Sequence, residues 1–163
     1  MNIIKFKRDT GFRKDFFTPD SFSHPAKMDS QLLIWIVEKF TKEGETICDP
    51  MFGSGTTMLA CTLGRNVIGV ELEQKFVDMA KANWEKVRQK PMLGSVMGEC
   101  QIIQGDARNL SGLFADAVVS SPPYADQNPS NLKSGVIAKM PLELHGKERK
   151  QIVKSNGYSL DTE

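Results

Sequence analysis

The sequence predicts a doubly wound α/β fold, a parallel sheet interleaved with helices and incomplete at its C-terminal strands. Apolar runs at 46–48, 66–71, 100–104 and 115–120 lack polar alternation, as strands covered on both faces do. Helical periodicity occupies the intervals between the first three. A glycine-rich turn, DPMFGSGTT, joins the first strand to the next helix.

The first helix begins at residue 29, where Leu33, Ile36, Val37 and Phe40 follow i, i+3, i+4, i+7 spacing; Asp29 or Ser30 is its N-cap and Gly44 its end. Strand 46–48 leads through the glycine turn into a helical stretch from about 56 to 63, closed by Gly64. After strand 66–71, a helix over 74–87 places Phe76, Ala80, Trp84 and Val87 on one stripe. Trp35 and Trp84, both on helical stripes, are expected in the core. Residues 90–98 read as loop before strands 100–104 and 115–120.

With 163 residues, 40% hydrophobic and 25% charged, the chain suits one globular domain. No apolar run approaches the ~20 residues of a membrane span, and the N-terminal segment lacks the pattern of a secretory signal, so a cytoplasmic protein is expected. Cys48, Cys61 and Cys100 are odd in number and widely spaced, which argues against disulfides and a zinc site; they read as reduced packing residues. The net charge of +1 hides basic flanks: residues 1–15 hold five Lys/Arg against two Asp, and 133–154 hold six against two Glu. Such clusters suit a phosphate backbone, and equally suit solvated ends.

In open parallel sheets, ligands bind at the carboxyl ends of the strands, which unites loops 49–56, 71–73, 105–108 and 120–124. Glycines in DPMFGSGTT allow a tight turn and close ligand approach, and the helix start beyond it offers free N–H groups. Met58 stands where a dinucleotide fingerprint needs a third glycine, and no P-loop pattern is present. Glu71, 22 residues after Asp49, is placed to accept ribose hydroxyls. An adenosine-type cofactor lacking a diphosphate is selected, and S-adenosylmethionine meets that description: its ribose at Glu71, its sulfonium near Asp49, its carboxylate near the helix start. Asp106 in QGDA is placed to accept from the adenine amino group, and a turn or cap explains it nearly as well. Met51 and Phe52 either cover the cofactor or pack beneath the turn.

After strand 115–120, Ser121, Pro122, Pro123 and Tyr124 form a stiff rim, since proline cannot donate to a sheet ladder. A flat base with an exocyclic NH2 fits it: the ring stacks on Tyr124, and the Ser121 hydroxyl and Pro122 carbonyl accept the amino hydrogens. No cysteine nucleophile or metal is needed, because displacement from a sulfonium depends mostly on orientation in a dry, polarised site.

DPMFGSGTT, VIGVELEQKFVDMA, QGDA and DAVVSSPPY together resemble the amino-methylating DNA methyltransferases, which make N4-methylcytosine or N6-methyladenine with S-adenosylmethionine. SHPAKMDSQLLIWIVEKF, residues 23–40, is similar to the family's HPTQKP-plus-helix segment that closes over the methionine end, matching in His24, Pro25 and Lys27. The resemblance spans about residues 20–125. It implies a Rossmann-like methyltransferase sheet, a basic arm over 1–22, a cofactor-binding core over 23–125 and an irregular or helical basic tail over 126–163. It implies Ser121, Pro122, Pro123 and Tyr124 as the catalytic rim. Asp49, Pro50, Phe52, Gly53, Ser54, Gly55 and Thr56, with His24 and Lys27, would hold the methionine side; Glu71 would take the ribose and Asp106 the adenine. Serine at position 121 leans toward cytosine N4 over adenine N6. DNA is the implied partner, with the target base flipped out of the stack, and restriction-modification an implied setting.

Family members continue with three more strands and a target-recognition region, whereas 39 residues follow Tyr124 and do not read as those strands. A truncated product, or a partner chain or second copy completing the sheet at strand four, is expected. His24 and His145 find no metal or triad partner in the sequence. RNA or a protein amide as methyl acceptor, and a cofactor-holding module inactive without a partner, remain open alternatives.

Overall fold

The computed structural model describes residues 4–6, 9–23 and 28–122. Its elements are α1 (Thr10–Phe16), a 3-10 turn (Pro19–Ser23), α2 (Ser30–Phe40), β1 (Thr46–Asp49), a 3-10 helix (Thr56–Leu63), β2 (Asn66–Glu71), α3 (Gln74–Val87), β3 (Cys100–Gln104) and β4 (Ala117–Val118). The strands form one parallel sheet in the order β3-β2-β1-β4, so the chain runs outward from β1 to β3 and then jumps back across β1. That reversal beside β1 is the switch point where open α/β sheets take ligands.

α2 begins where Asp29 accepts from the amides of Gln31 and Leu32, both at 2.9 Å, a cap worth about 1 kcal/mol. Its inward face holds Leu33, Ile36 and Val37. The helix stops at Thr41, not Gly44: Thr41 turns extended while its N–H still reaches the Val37 carbonyl. α3 also has its expected limits, but its seam is rotated from the expected stripe. Val77, Ala80, Asn83 and Val87 are buried, while Phe76 and Trp84 sit half-buried on the flank. Trp35 is likewise half-buried, against the core and edge-on to Phe40 at 5.9 Å. β4 pairs over two residues only, with the ladder extended by Asp116 N–H to Thr46 O and Val119 N–H to Cys48 O.

The helices and one face of the sheet share a single apolar cluster. Ile47, Val67 and Cys100 lie in register across that face, followed by Asp49, Gly69 and Ile102. Phe52 folds back over Gly69, and a Cβ at Gly69 would stand 2.4 Å from the Phe52 ring. The absent side chain is therefore what admits the ring. Residues 105–116 connect β3 to β4 through turns rather than a helix, with Leu110 buried. All three cysteines are free. Among the described residues, no cluster of side chains could hold a metal and no helix is long and apolar enough to cross a membrane.

Gly69→Ala drives a methyl group into the buried ring of Phe52. It is expected to lower stability by about 1–3 kcal/mol, read as a shift in the urea midpoint without change in slope.

Candidate active site

Parallel pairing brings the chemistry to one edge. Cys48 lies opposite Val118, so the glycine turn leaving β1 and the Ser120-Ser121-Pro122 run leaving β4 emerge side by side. On the other flank Asp49 lies opposite Gly69, two residues before Glu71 closes β2, and Glu71 pairs with Gln104. The four loops grouped from the sequence thus leave the sheet at the same edge, the last of them described as far as Pro122.

The turn is held from several sides. Gly53 and Gly55 adopt left-handed backbone, φ 54° and 86°. A Cβ on Gly55 would stand 2.3 Å from the Met58 methyl, so only glycine fits there without displacing it. Gly53 N–H donates to Glu71 Oε2 at 2.8 Å and Gly55 N–H to Phe52 O at 2.8 Å. The first bond of the helix beyond is Met58 N–H to Gly55 O, so the amides of Thr56 and Thr57 precede it, as free N–H groups at a helix start do. Glu71 Oε1 accepts from Glu73 N–H at 2.9 Å. Each Glu71 oxygen thus takes one backbone hydrogen and keeps a further lone pair for a ligand hydroxyl.

Asp49 is 3% exposed, and its carboxylate ties three pieces of the edge. Oδ1 accepts from Met51 N–H at 3.1 Å, and Oδ2 accepts a short bond from the Thr57 hydroxyl. The buried Ser120 hydroxyl also favours the charged form, although it completes no hydrogen bond of ordinary geometry among the described residues. Burial outweighs these contacts, with Glu71 adding to it, and raises the Asp49 pKa to about 6. Burial and then the Asp49 charge push the neighbouring Cys48 thiol up to about 11, so it stays protonated at neutral pH.

Among the remaining sequence-predicted residues, Pro50, Ser54 and Thr56 are buried within the turn. Phe52 is buried beneath it over Gly69, and Met51 is exposed. Ser121 and Pro122 are half-buried beside Asp49's edge. Asp106 lies on the surface, gripped by Arg108 through bonds of 2.5–3.0 Å, which with the Arg108 N–H hold its carboxyl down at about 2. An adenine amino group reaching Asp106 would share that carboxylate with a guanidinium. His24, Lys27, Pro123 and Tyr124 fall outside the described residues.

Three further polar residues bear on the turn. Thr57 binds Asp49; Arg13, on α1, donates to Thr56 Oγ1 at 3.2 Å; Asn83, on α3, donates to Ser54 O at 2.8 Å. Asn83 occupies a core-facing position on an amphipathic helix, a signal visible in the spacing, since unpaired amides are rarely buried. Arg13 had a weaker one, a cation set with Lys14 between Phe12 and Phe16. Thr57 had none.

Residues 5–82 match the family model described as DNA methylase, of the N6 and N4 methyltransferases. The type II methyltransferase M.HinfI of Haemophilus influenzae is 36% identical over 70 residues, 42% of this chain and 20% of that protein. Residues 5–82 are thus similar to an amino-methylating DNA methylase segment. A second methylase, the type II methyltransferase M2.DpnII of Streptococcus pneumoniae, is 41% identical over 63 residues, 38% of this chain and 24% of its own. The matched stretch therefore spans a fifth to a quarter of these curated relatives. A crystal structure of an RNA methyltransferase from Salinibacter ruber shares the fold, with TM-score 0.50 at 17% identity over 60% of this chain and 61% of that one. The methylase match reaches back to residue 5, so α1 and the following 3-10 turn fall within it.

The Asp49 pKa, raised above 3.8, means the folded chain binds this proton more tightly than the unfolded chain does. Asp49 therefore contributes most to stability while neutral, and that contribution is lost as pH rises through about 6. Asp49→Asn stays neutral throughout. Urea titrations from about pH 4 to about pH 8 are expected to show the variant gaining on the wild type across this window, by roughly 2–3 kcal/mol at neutral pH.

Proposed function

We propose that the chain is the cofactor-binding and amino-rim part of an S-adenosylmethionine-dependent DNA methyltransferase acting in the cytoplasm. Its acceptor is the exocyclic amino group of a flipped base, cytosine N4 in preference to adenine N6. One observation supports this above the others: the glycine turn and the Ser-Pro rim leave adjacent parallel strands and meet at the Asp49 carboxylate. The donor set also suits the cofactor. Two left-handed glycines shape the turn, the amides of Thr56 and Thr57 open toward an anionic group, and Glu71 keeps lone pairs for a diol.

Bound S-adenosylmethionine would supply an electrophilic methyl group. Glu71 would hold the ribose hydroxyls, residues 49–56 the methionine part with His24 and Lys27 closing over it, and Asp106 the adenine. Asp49, charged above about pH 6, lies where a cation near the turn is stabilised. The Ser121 hydroxyl and Pro122 carbonyl would accept the amino hydrogens, with Pro123 stiffening the rim and Tyr124 stacking on the base. That geometry turns the nitrogen lone pair out of conjugation, and orientation supplies most of the rate. Serine at position 121 underlies the preference for cytosine.

A second reading keeps the cofactor site and places completion of the enzyme on another chain. Among the described residues β4 is the outer strand and pairs over two residues only, leaving its far edge open, as a docking edge would be. Light scattering after size exclusion distinguishes the readings, since only the module reading expects association.

Nucleosides digested from DNA incubated with the chain and isotope-labelled S-adenosylmethionine are expected to contain N4-methylcytosine by mass spectrometry. Ser121→Ala is expected to lower the yield by about 100-fold at saturating cofactor, the scale of losing one donor or acceptor at the reacting group. Label in N6-methyladenine alone would reverse the base preference. Cofactor binding with no label in any DNA, alone or with a partner chain, would defeat the DNA reading.

A further inference from the structure

Asn83 is fully buried on α3, and a buried amide is costly unless its hydrogen-bonding groups are used. Here they join two distant pieces of chain. Oδ1 accepts from Thr18 N–H at 2.8 Å, Thr18 Oγ1 at 2.9 Å and Ser21 Oγ at 2.8 Å, while Nδ2 donates to the Ser54 carbonyl at 2.8 Å. A second tie runs beside it. Arg13, 6% exposed, donates to Thr56 Oγ1, to Met28 O and to Asp9 Oδ2, and Asp9 in turn accepts from Ser30 N–H at 2.9 Å. The segment before α2 is thereby bonded to both ends of the Ser54–Thr56 stretch.

The Ser54 carbonyl belongs to the Ser54–Gly55 peptide, which leads into the left-handed Gly55. On the Gly55 side no Cβ restricts rotation of this peptide, so its orientation depends on what holds the carbonyl. Rotation would swing the Gly55 N–H off Phe52 O and alter the path of the turn into the helix. Asn83 blocks it by gripping the carbonyl from behind, and Thr18 and Ser21 fix the amide that does so.

We propose that Asn83 is a positioning residue for the glycine turn: clamped by Thr18 and Ser21, it fixes the Ser54 peptide, so that nucleoside-cofactor affinity depends on residues 18–21 as well as on the turn. This rests on the cofactor reading above. Preorganisation of this kind acts by removing the ordering cost of binding rather than by adding a contact.

The test is calorimetric titration of the full chain with S-adenosylhomocysteine, comparing wild type, Asn83→Ala and the double variant Thr18→Val/Ser21→Ala. Both variants are expected to raise Kd about five- to tenfold with stoichiometry unchanged, the span of one buried hydrogen bond's net worth. Amide exchange over residues 52–57 is expected to quicken in both. A merely structural role would lower the binding-competent fraction and leave Kd where it was, which overturns the proposal. If Asn83→Ala does not fold, the double variant decides on the same criterion. A wild-type chain that fails to bind overturns the cofactor reading and this inference with it, whereas wild-type binding with unaltered variant Kd overturns the inference alone.

Discussion

A carboxylate at the end of the central strand organises the carboxyl edge of the sheet. Asp49 is buried, so its charge is disfavoured, yet it accepts from the amide of Met51, from the hydroxyl of Thr57 and faces that of Ser120. These groups belong to the turn, the helix start and the rim. Without the carboxylate each would have a different reason to be where it is, and no common reference point. Desolvation wins over the hydrogen bonds, which makes Asp49 a cost to stability at neutral pH. A buried charge that destabilises the fold and sits at the carboxyl edge of a parallel sheet is the usual mark of function taking precedence over stability.

The turn itself has little rigidity of its own, since its two glycines accept conformations that cost other residues dearly. Rigidity comes from outside it. Glu71 holds Gly53 from β2, Asp49 holds Thr57 from β1, Asn83 holds Ser54 from α3 and Arg13 holds Thr56 from α1. Phe52 fills the space below, admitted by the missing side chain of Gly69. The apolar cluster thus reaches directly under the polar turn, and core packing and turn geometry share one residue.

Sheet and helices were legible because their signals are local. β2, α3 and β3 have the limits that periodicity assigns, and Gly64 closes the 3-10 helix in the left-handed form expected of a terminal glycine. Gly44 misled, because Thr41 ends α2 by turning extended and needs no left-handed residue. The stripe on α3 was displaced because Phe76 and Trp84 outrank Asn83 in hydrophobicity, whereas burial there follows hydrogen bonding to Ser54 and Thr18. The loops of the candidate site could be grouped in advance, since parallel topology sends them to one edge. What the sequence could not disclose was how they are fastened. Arg13 reads as one cation of a basic arm, and its burial depends on acceptors 15 and 43 residues away.

The opposite end of the sheet is built from different material. Arg65, 8% exposed, meets no carboxylate among the described residues; its guanidinium donates to the Thr41 carbonyl and hydroxyl and to the Leu63 carbonyl, where α2 and the 3-10 helix end. Helix carbonyl ends carry partial negative charge, so the cation is compensated by backbone dipoles that do not titrate. The joint is therefore indifferent to mild acid, and its depth shields it from salt. The molecule has a foundation whose electrostatics stay constant and an upper rim whose protonation does not, so a change of buffer alters the charge of the carboxyl edge while that of the base beneath it is unchanged.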